Sequence, residues 1–292
     1  MAMSRTSKFG IRELLKSFPH NKICLEFIFN SLHGKRCTCR GVYSLRPGRK
    51  SFRCGRCRKE IAPLKGTIFE KSKTPLTLWF HALLLFSNAK SGISAKQIER
   101  HLAVTYKCAW RILHKVRLSL IQGVQKLAGT VEIDSAYLGG KGWKHRSEAL
   151  LSKPVAFAAI ERGGQVKTKV VQGTGGIPTW KFVTGSAHSG ALLLSDSHGS
   201  YKKLSSIYKV RSVNHSQKEY VRGRTHVNTV ESFWSHVKRS LTGIHKSVSK
   251  QHLQSYLDAF SFHYNNAHSD KKRFETLLRL VLLSGAKTGT DA

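Results

Sequence analysis

The chain has 292 residues, room for one large domain or for a catalytic domain with one or two small modules. Its 50 lysines and arginines against 16 aspartates and glutamates leave a formal charge of +34, which repels itself unless a polyanion is near. No basic amphipathic helix stands out, and the longest apolar run, Trp79 to Phe86, is broken by His81 and too short for a bilayer. Membrane classes are therefore set aside and nucleic acid is the expected partner. Met1 to Gly34 lacks a continuous apolar core, so no signal peptide is read and the expected location is cytoplasmic, with the nucleoid.

In chain order, residues 1–32 form an N-terminal helical segment, because apolar residues recur at helical spacing over 11–32 on both sides of Pro19. Residues 33–66 read as a zinc ribbon. Cys37-Thr38-Cys39 and Cys54-Gly55-Arg56-Cys57 are separated by fourteen residues containing Gly41, Pro47 and Gly48. Tetrahedral Zn2+ takes four thiolates, and two short cysteine turns joined by a hairpin supply them. The first pair has one intervening residue where two are usual, so its turn must be tighter or bulged, with His33 as the spare ligand. Arg36, Arg40, Arg46, Arg49, Arg53, Arg56 and Arg58 crowd the module as phosphate contacts would. Cys24 and Cys108 stand alone in apolar surroundings and read as core thiols.

Residues 67–128 read as a helical DNA-binding block. Within Ile93 to Leu118, a break at Ala103-Val104 and a cap at Thr105 give helix-turn-helix spacing. On the second helix Ala109, Ile112, Leu113 and Val116 can face a core. Tyr106, Lys107, Arg111, Lys115 and Arg117 remain for DNA, with Arg111 and Lys115 the leading contacts.

From residue 129 to 268 the texture turns to strands, at 130–134, 154–161, 166–173 and 191–196, followed by helical patterns near 201–205, 227–241 and 250–265. A mixed α/β domain is expected there, with a C-terminal helix and tail over 269–292. Aspartate is scarce, yet Asp134 and Asp196 each end an apolar strand, where crevices commonly form. Glu231 lies on a helix whose packing stripe is Val230, Trp234, Val237 and Leu241, and Lys238 follows almost two turns later on nearly the same face. Such a carboxylate trio is costly unless divalent ions neutralise it, and Mg2+ or Mn2+ held this way serves in-line displacement at phosphorus. The alternative from spacing alone is two turn aspartates and a surface ion pair. His226, His236, His245, His252 and His263 receive no chemical role, and Trp234 reads as a core anchor.

The segments VEIDSAYLGGK (131–141), LLLSDSHGSY (192–201) and HVNTVESFWSHVKRSLTGIHKSVSKQHLQSYLDAFSFHYN (226–265) together resemble the DDE-type insertion-sequence transposases that carry an N-terminal zinc ribbon. KGTIFEKSKTPLTLWFHALLLF (65–86) is similar to the segment after the ribbon in that group. The resemblance implies a ribonuclease H-like catalytic domain and makes Asp134 and Asp196 its metal-binding aspartates. For the third position, a DDNK or DDEK pattern leaves Asn228 and Glu231 as candidates ahead of Lys238, with Glu231 preferred as a metal carboxylate and Lys238 as a DNA phosphate contact. It further implies binding to the element's terminal inverted repeats, metal-dependent cleavage and strand transfer of double-stranded DNA, and a homo-oligomer. The rival reading is a decayed or domesticated copy acting as a zinc-containing DNA-binding protein. Ser135, Ala259 and Asn266 depart from residues frequent in the group, but none of the three is a proposed metal carboxylate.

Overall fold

The computed structural model describes residues 8–120, 123, 125–139, 153–196, 204–213, 221, 223, 225–267 and 269–284. Two compact units form, one from Met1–Ala89, Ile93–Leu120 and Asn266–Ala292, the other from Lys90–Gly92 and Ile121–Asn265.

In the first unit, Pro19 separates α1 (Ile11–Ser17) from α2 (Asn21–His33). An antiparallel sheet of β1 (Tyr43–Leu45), β2 (Phe52–Cys54) and β3 (Glu60–Ile61) follows, and Phe52 stacks on Phe29 of α2 at 3.9 Å. Next come α3 (Leu76–Asn88), α4 (Ala95–Leu102) and α5 (Tyr106–Leu118). Ser94 starts α4 with a capping box: its hydroxyl accepts from Gln97 N at 3.2 Å while its N–H donates to Gln97 Oε1 at 2.9 Å. Ala103 then takes a left-handed conformation that turns the chain, and the Thr105 hydroxyl caps α5 by accepting from Cys108 N.

Ala109, Ile112, Leu113 and Val116 are all buried, as the periodicity requires. The basic face is smaller than expected. Tyr106, Lys107 and Arg111 are exposed, but Arg117 is buried and Lys115 donates from Nζ to the Ile68 carbonyl at 2.9 Å. Periodicity could not foresee this, because the segment that meets Lys115 lies 47 residues earlier. Cys24 is fully buried, whereas Cys108 is half-buried beside the Thr74 hydroxyl at 3.3 Å. The last helix, α9 (Asp270–Ser284), belongs to this unit through Phe274, Leu277, Leu278, Val281 and Leu282, and its buried Arg273 donates to the carbonyls of Ser87 and Asn266.

The second unit is a five-stranded sheet of β4 (Thr130–Tyr137), β5 (Val155–Glu161), β6 (Val166–Val171), β7 (Leu192–Asp196) and β8 (Lys209–Val213). The order is β6-β5-β4-β7-β8, with β4, β5 and β6 antiparallel and β4, β7 and β8 parallel. Alternation sends Val131, Ile133 and Leu193 to one face, against Phe182 and Val183 of α6 (Gly176–Ser186). Ala136 and Leu194 face the other way, against Val230, Trp234 and Val237 of α7 (Asn228–Ser240) and Leu257 and Phe260 of α8 (Leu253–Asn265). Trp234 is a core residue, 2% exposed.

The outer edge of β6 is closed by side chains of α8. Asn265 accepts from Val166 N at 2.7 Å and donates to Val166 O at 3.1 Å, and Gln254 accepts from Val170 N and donates to Thr168 O. Amide side chains thus take the place of a sixth strand. Two elements escaped the sequence reading. β8, KVRSV, buries only Val213, and α6 begins with Gly176, Ile177 and Pro178, the proline lying in the first turn, where no intrahelical N–H is needed. Of the helix expected near 201–205, the described part is a short turn at 204–206; the remainder lies outside the described residues.

Candidate functional site

β4 and β7 pair in parallel with Thr130 opposite Leu192 and Glu132 opposite Leu194. Asp134 follows on β4, and Asp196 ends β7, each two residues beyond that last pair. Both side chains share the face of Ala136 and Leu194, the face covered by α7, which carries Glu231 in its first turn. Asp134 is half-buried, and its Oδ1 accepts from the Ser135 N–H at 2.7 Å. Burial lifts its carboxyl to a pKa of about 6, the charges of Asp196 and Glu231 push the same way, and Lys238 partly offsets them. Asp196, Glu231 and Lys238 therefore all act electrostatically on Asp134, which stands within β4 rather than at its end, since the strand continues to Tyr137; Asp196 does end β7. Asn228, exposed, opens α7 one turn before Glu231.

Asp196 keeps a buried Oδ1 with no hydrogen-bond partner among the described residues. A buried carboxylate oxygen without a donor is expensive, and a second carboxylate alongside adds to the cost. A divalent cation would remove both penalties, and three carboxylates are the oxygen donors that Mg2+ or Mn2+ prefers. Among the described residues, however, only the four cysteines Cys37, Cys39, Cys54 and Cys57 bring their donor atoms close enough to share one ion; Asp134, Asp196 and Glu231 do not.

Behind this trio lies a carboxylate to which the sequence reading gave no role. Glu132, fully buried, receives the N–H groups of Thr229 and Val230 on Oε2 at 2.8 and 3.1 Å, and the Thr229 hydroxyl on Oε1 at 3.0 Å. Arg162 Nε donates to the same Oε1 at 2.7 Å, while its Nη2 donates to the His226 carbonyl at 2.9 Å. The available signal was an acidic residue between Val131 and Ile133, at an inward position of an apolar strand.

In the other unit, Cys37, Cys39, Cys54 and Cys57 place their sulfurs within 4.8 Å of one another, without His33. The Cys37–Cys57 and Cys39–Cys54 sulfur separations are 3.6 and 3.5 Å. Zn–S bonds of about 2.3 Å in a tetrahedron give S···S edges near 3.8 Å, so the four could hold one Zn2+. The short first pair closes because Arg40 N donates to Cys37 O, Cys37 N donates to Gly41 O, and Arg40 adopts a φ of 65°. Gly41 has no substitute here, since a Cβ would lie 2.6 Å from Cys54 Sγ and 2.8 Å from Arg56 Cβ. The Tyr43 hydroxyl and the Cys39 N–H, hydrogen-bonded to the Cys37 sulfur, lower its pKa to about 5, favouring the thiolate that a metal needs.

Residues 126–265 match the family described as ISXO2-like transposase domain. Over that span the chain is similar to an ISXO2-like transposase domain. That domain comprises the five-stranded sheet with α6, α7 and α8. The chain is also 29% identical over 247 residues to a Halobacterium salinarum protein described as an uncharacterized protein in transposable element ISH50, covering 76% of this chain and 82% of that one. The resemblance to insertion-sequence transposases therefore holds. A solved structure, the Mos1 strand transfer complex, aligns over 73% of this chain and 78% of its own at 9% identity and a TM-score of 0.29, too low to carry weight. No helix among the described residues is long and apolar enough to cross a membrane.

Proposed function

We propose that this transposase binds the terminal inverted repeats of its insertion sequence, cleaves the element's ends, and joins the freed 3′-hydroxyl to target DNA at the same site. The observation that carries this is that Asp134 on β4 feels the charges of Asp196, at the end of the adjacent parallel β7, and of Glu231, on the helix over that face. Three antiparallel strands continued by two parallel ones, with helices on both faces, are what a ribonuclease H-like domain requires. Mg2+ or Mn2+ at the trio supplies Lewis-acid stabilisation of charge on the attacking and leaving oxygens. Asp134 and Asp196 hold the cation from the sheet, and Glu231 completes the set from α7. Lys238 offers a point charge to a phosphate near the scissile bond, and Asn228 orients substrate at the helix start. Glu231 is preferred over Asn228 for the third position because it is a carboxylate whose charge reaches Asp134.

The ribbon, held by Zn2+ on Cys37, Cys39, Cys54 and Cys57, and the helix-turn-helix with Arg111 on its exposed face recognise the DNA ends, and the protein works as a homo-oligomer in the nucleoid. The domain scheme proposed from the sequence is 1–32, ribbon 33–66, helical block 67–128, catalytic 129–268 and C-terminal 269–292, whereas the compact units divide at Leu120 and group Asn266–Ala292 with the N-terminal part. The test is cleavage of a labelled terminal-repeat duplex in Mg2+. Asp134→Asn and Asp196→Asn should abolish cleavage and strand transfer while end binding persists, and Glu231→Gln should be nearly as severe. Asn228→Ala and Lys238→Ala should only slow the reaction. Full activity in either aspartate variant rejects the site; a dead Asn228→Ala beside an active Glu231→Gln moves the third position to Asn228. Binding without nicking by the unaltered chain would support the decayed-copy reading instead.

A further inference from the structure

β4 presents Glu132 and Asp134 on the same face, two residues apart and so about 6.5–7 Å along the strand. The inner one is sealed and the outer one is half-buried. Glu132 takes the first backbone donors of α7, which no residue inside the helix can accept, and its negative charge sits at the positive end of the helix dipole. Arg162 neutralises it and also holds the His226 carbonyl just before the helix. The Thr229 hydroxyl adds a fourth donor. Glu231 follows Val230 directly, and its own N–H bonds the Val227 carbonyl, so the turn that carries Glu231 is the turn pinned to β4. Among the described residues this is a side-chain bridge tying the sheet that bears Asp134 to the start of the helix that bears Glu231.

We infer that Glu132 is a positioning residue: with Arg162 it fixes the rotation and depth of α7 against β4, and thereby the separation of Glu231 from Asp134 and Asp196. The inference rests on the reading of that trio as a divalent-cation site. Glu132 touches neither cation nor DNA; it acts through the geometry of the residues that do. Loosening it should weaken cation binding before it affects the chemistry of the loaded site, whereas loss of a ligand removes both.

The experiment uses the full, zinc-replete chain. Mn2+ binding is followed by electron paramagnetic resonance and calorimetry, and cleavage of the terminal-repeat duplex is measured over a Mn2+ series, with unfolding curves for every variant. Glu132→Gln keeps the shape but loses the charge that Arg162 requires. It should weaken Mn2+ binding by about ten- to a hundredfold, as loss of a residue supporting metal ligands does. Cleavage should recover toward the unaltered rate at saturating Mn2+, and the KM for the duplex should hold. Thr229→Ala, which removes only the hydroxyl donor, should give a smaller shift of the same sign and decides the matter if Glu132→Gln does not fold. A folded Glu132→Gln that binds Mn2+ within about twofold of the unaltered chain overturns the inference; so does an unshifted Thr229→Ala when Glu132→Gln fails to fold. Asp134→Asn runs alongside: if it binds Mn2+ and cleaves normally, the reading of the trio has failed, and if it is inactive while Glu132→Gln is unshifted, only the positioning role has.

Discussion

Asp196 raises the proton affinity of Asp134, its neighbour across two parallel strands. Burial does more in the same direction, and together they bring Asp134 to a pKa of about 6, against an ordinary value of 3.8. The folded state thus binds this proton more tightly than the unfolded chain. Without a divalent cation, the ionised group is unfavourable at neutral pH, and stability falls as pH rises from about 4 through 6, by roughly 3 kcal/mol at most. Asp134→Asn should remove that fall, so the variant is the more stable protein at pH 7.5 without Mg2+ and equal or less stable at pH 4. Adding Mg2+ should stabilise the unaltered chain and leave the variant nearly unmoved. Urea denaturation across this pH range, with and without Mg2+, checks the pattern; a variant that is less stable at pH 7.5 contradicts it.

Gly41 and Gly55 lie in the two cysteine turns but face different surroundings. An alanine at 41 would drive its Cβ to 2.6 Å from the Cys54 sulfur, whereas one at 55 would meet only the Val42 carbonyl at 3.7 Å. Gly41→Ala should therefore lose zinc much as Cys54→Ser does, and Gly55→Ala should retain one zinc per chain. Metal analysis of the purified variants distinguishes them. Acid or a chelator should loosen residues 33–66 before the remainder, because the thiolates must stay deprotonated to bind.

Asn265 and Gln254 cap the open edge of β6, so their loss should cost stability and expose a strand edge at once. Asn265→Ala leaves a peptide N–H and a carbonyl unpaired, worth about 1–3 kcal/mol, and should increase self-association. Asn265→Asp keeps the acceptor for Val166 N but sets a carboxylate oxygen against the Val166 carbonyl, so it should be at least as damaging. Denaturation and light scattering report the two effects; an Asn265→Ala protein that is fully stable and monodisperse argues that water replaces the amide at no cost.

Arg111 is exposed on α5 while Lys115 is engaged by the Ile68 carbonyl, and burial lowers the lysine's pKa. Arg111→Ala should weaken DNA binding and reduce the slope of log K against log salt by about one, with unfolding unchanged. Lys115→Ala should instead lower stability by about 1 kcal/mol, the worth of a hydrogen bond, with little change in the salt slope. Fluorescence anisotropy over a salt series separates them, and equal slopes for both variants would contradict the distinction.

The two short N-terminal helices, the capped turn at Thr105, the four strands read from 130 to 196 and the cysteine cluster were legible along the chain. Each is a local pattern: apolar spacing of a helix or strand, a capping side chain, or ligands a few residues apart. Asp134 and Asp196 were legible because charge at the end of an apolar run is conspicuous, although β4 in fact continues past Asp134 to Tyr137, and the likeness of their motifs to a known group gave the pattern a chemistry. Tertiary structure alone decided their register, which depends on pairing between strands 62 residues apart and leaves no trace in either strand separately. It also decided that Lys115 and Arg117 are withdrawn from the exposed face of α5, and that Asn265 and Gln254 serve as a strand edge. Glu132 shows the division most clearly. Its inward position could be read from alternation, but its partners Thr229 and Val230 lie 97 and 98 residues away. A buried charge is defined by what surrounds it, and those surroundings exist only once β4 and α7 have met.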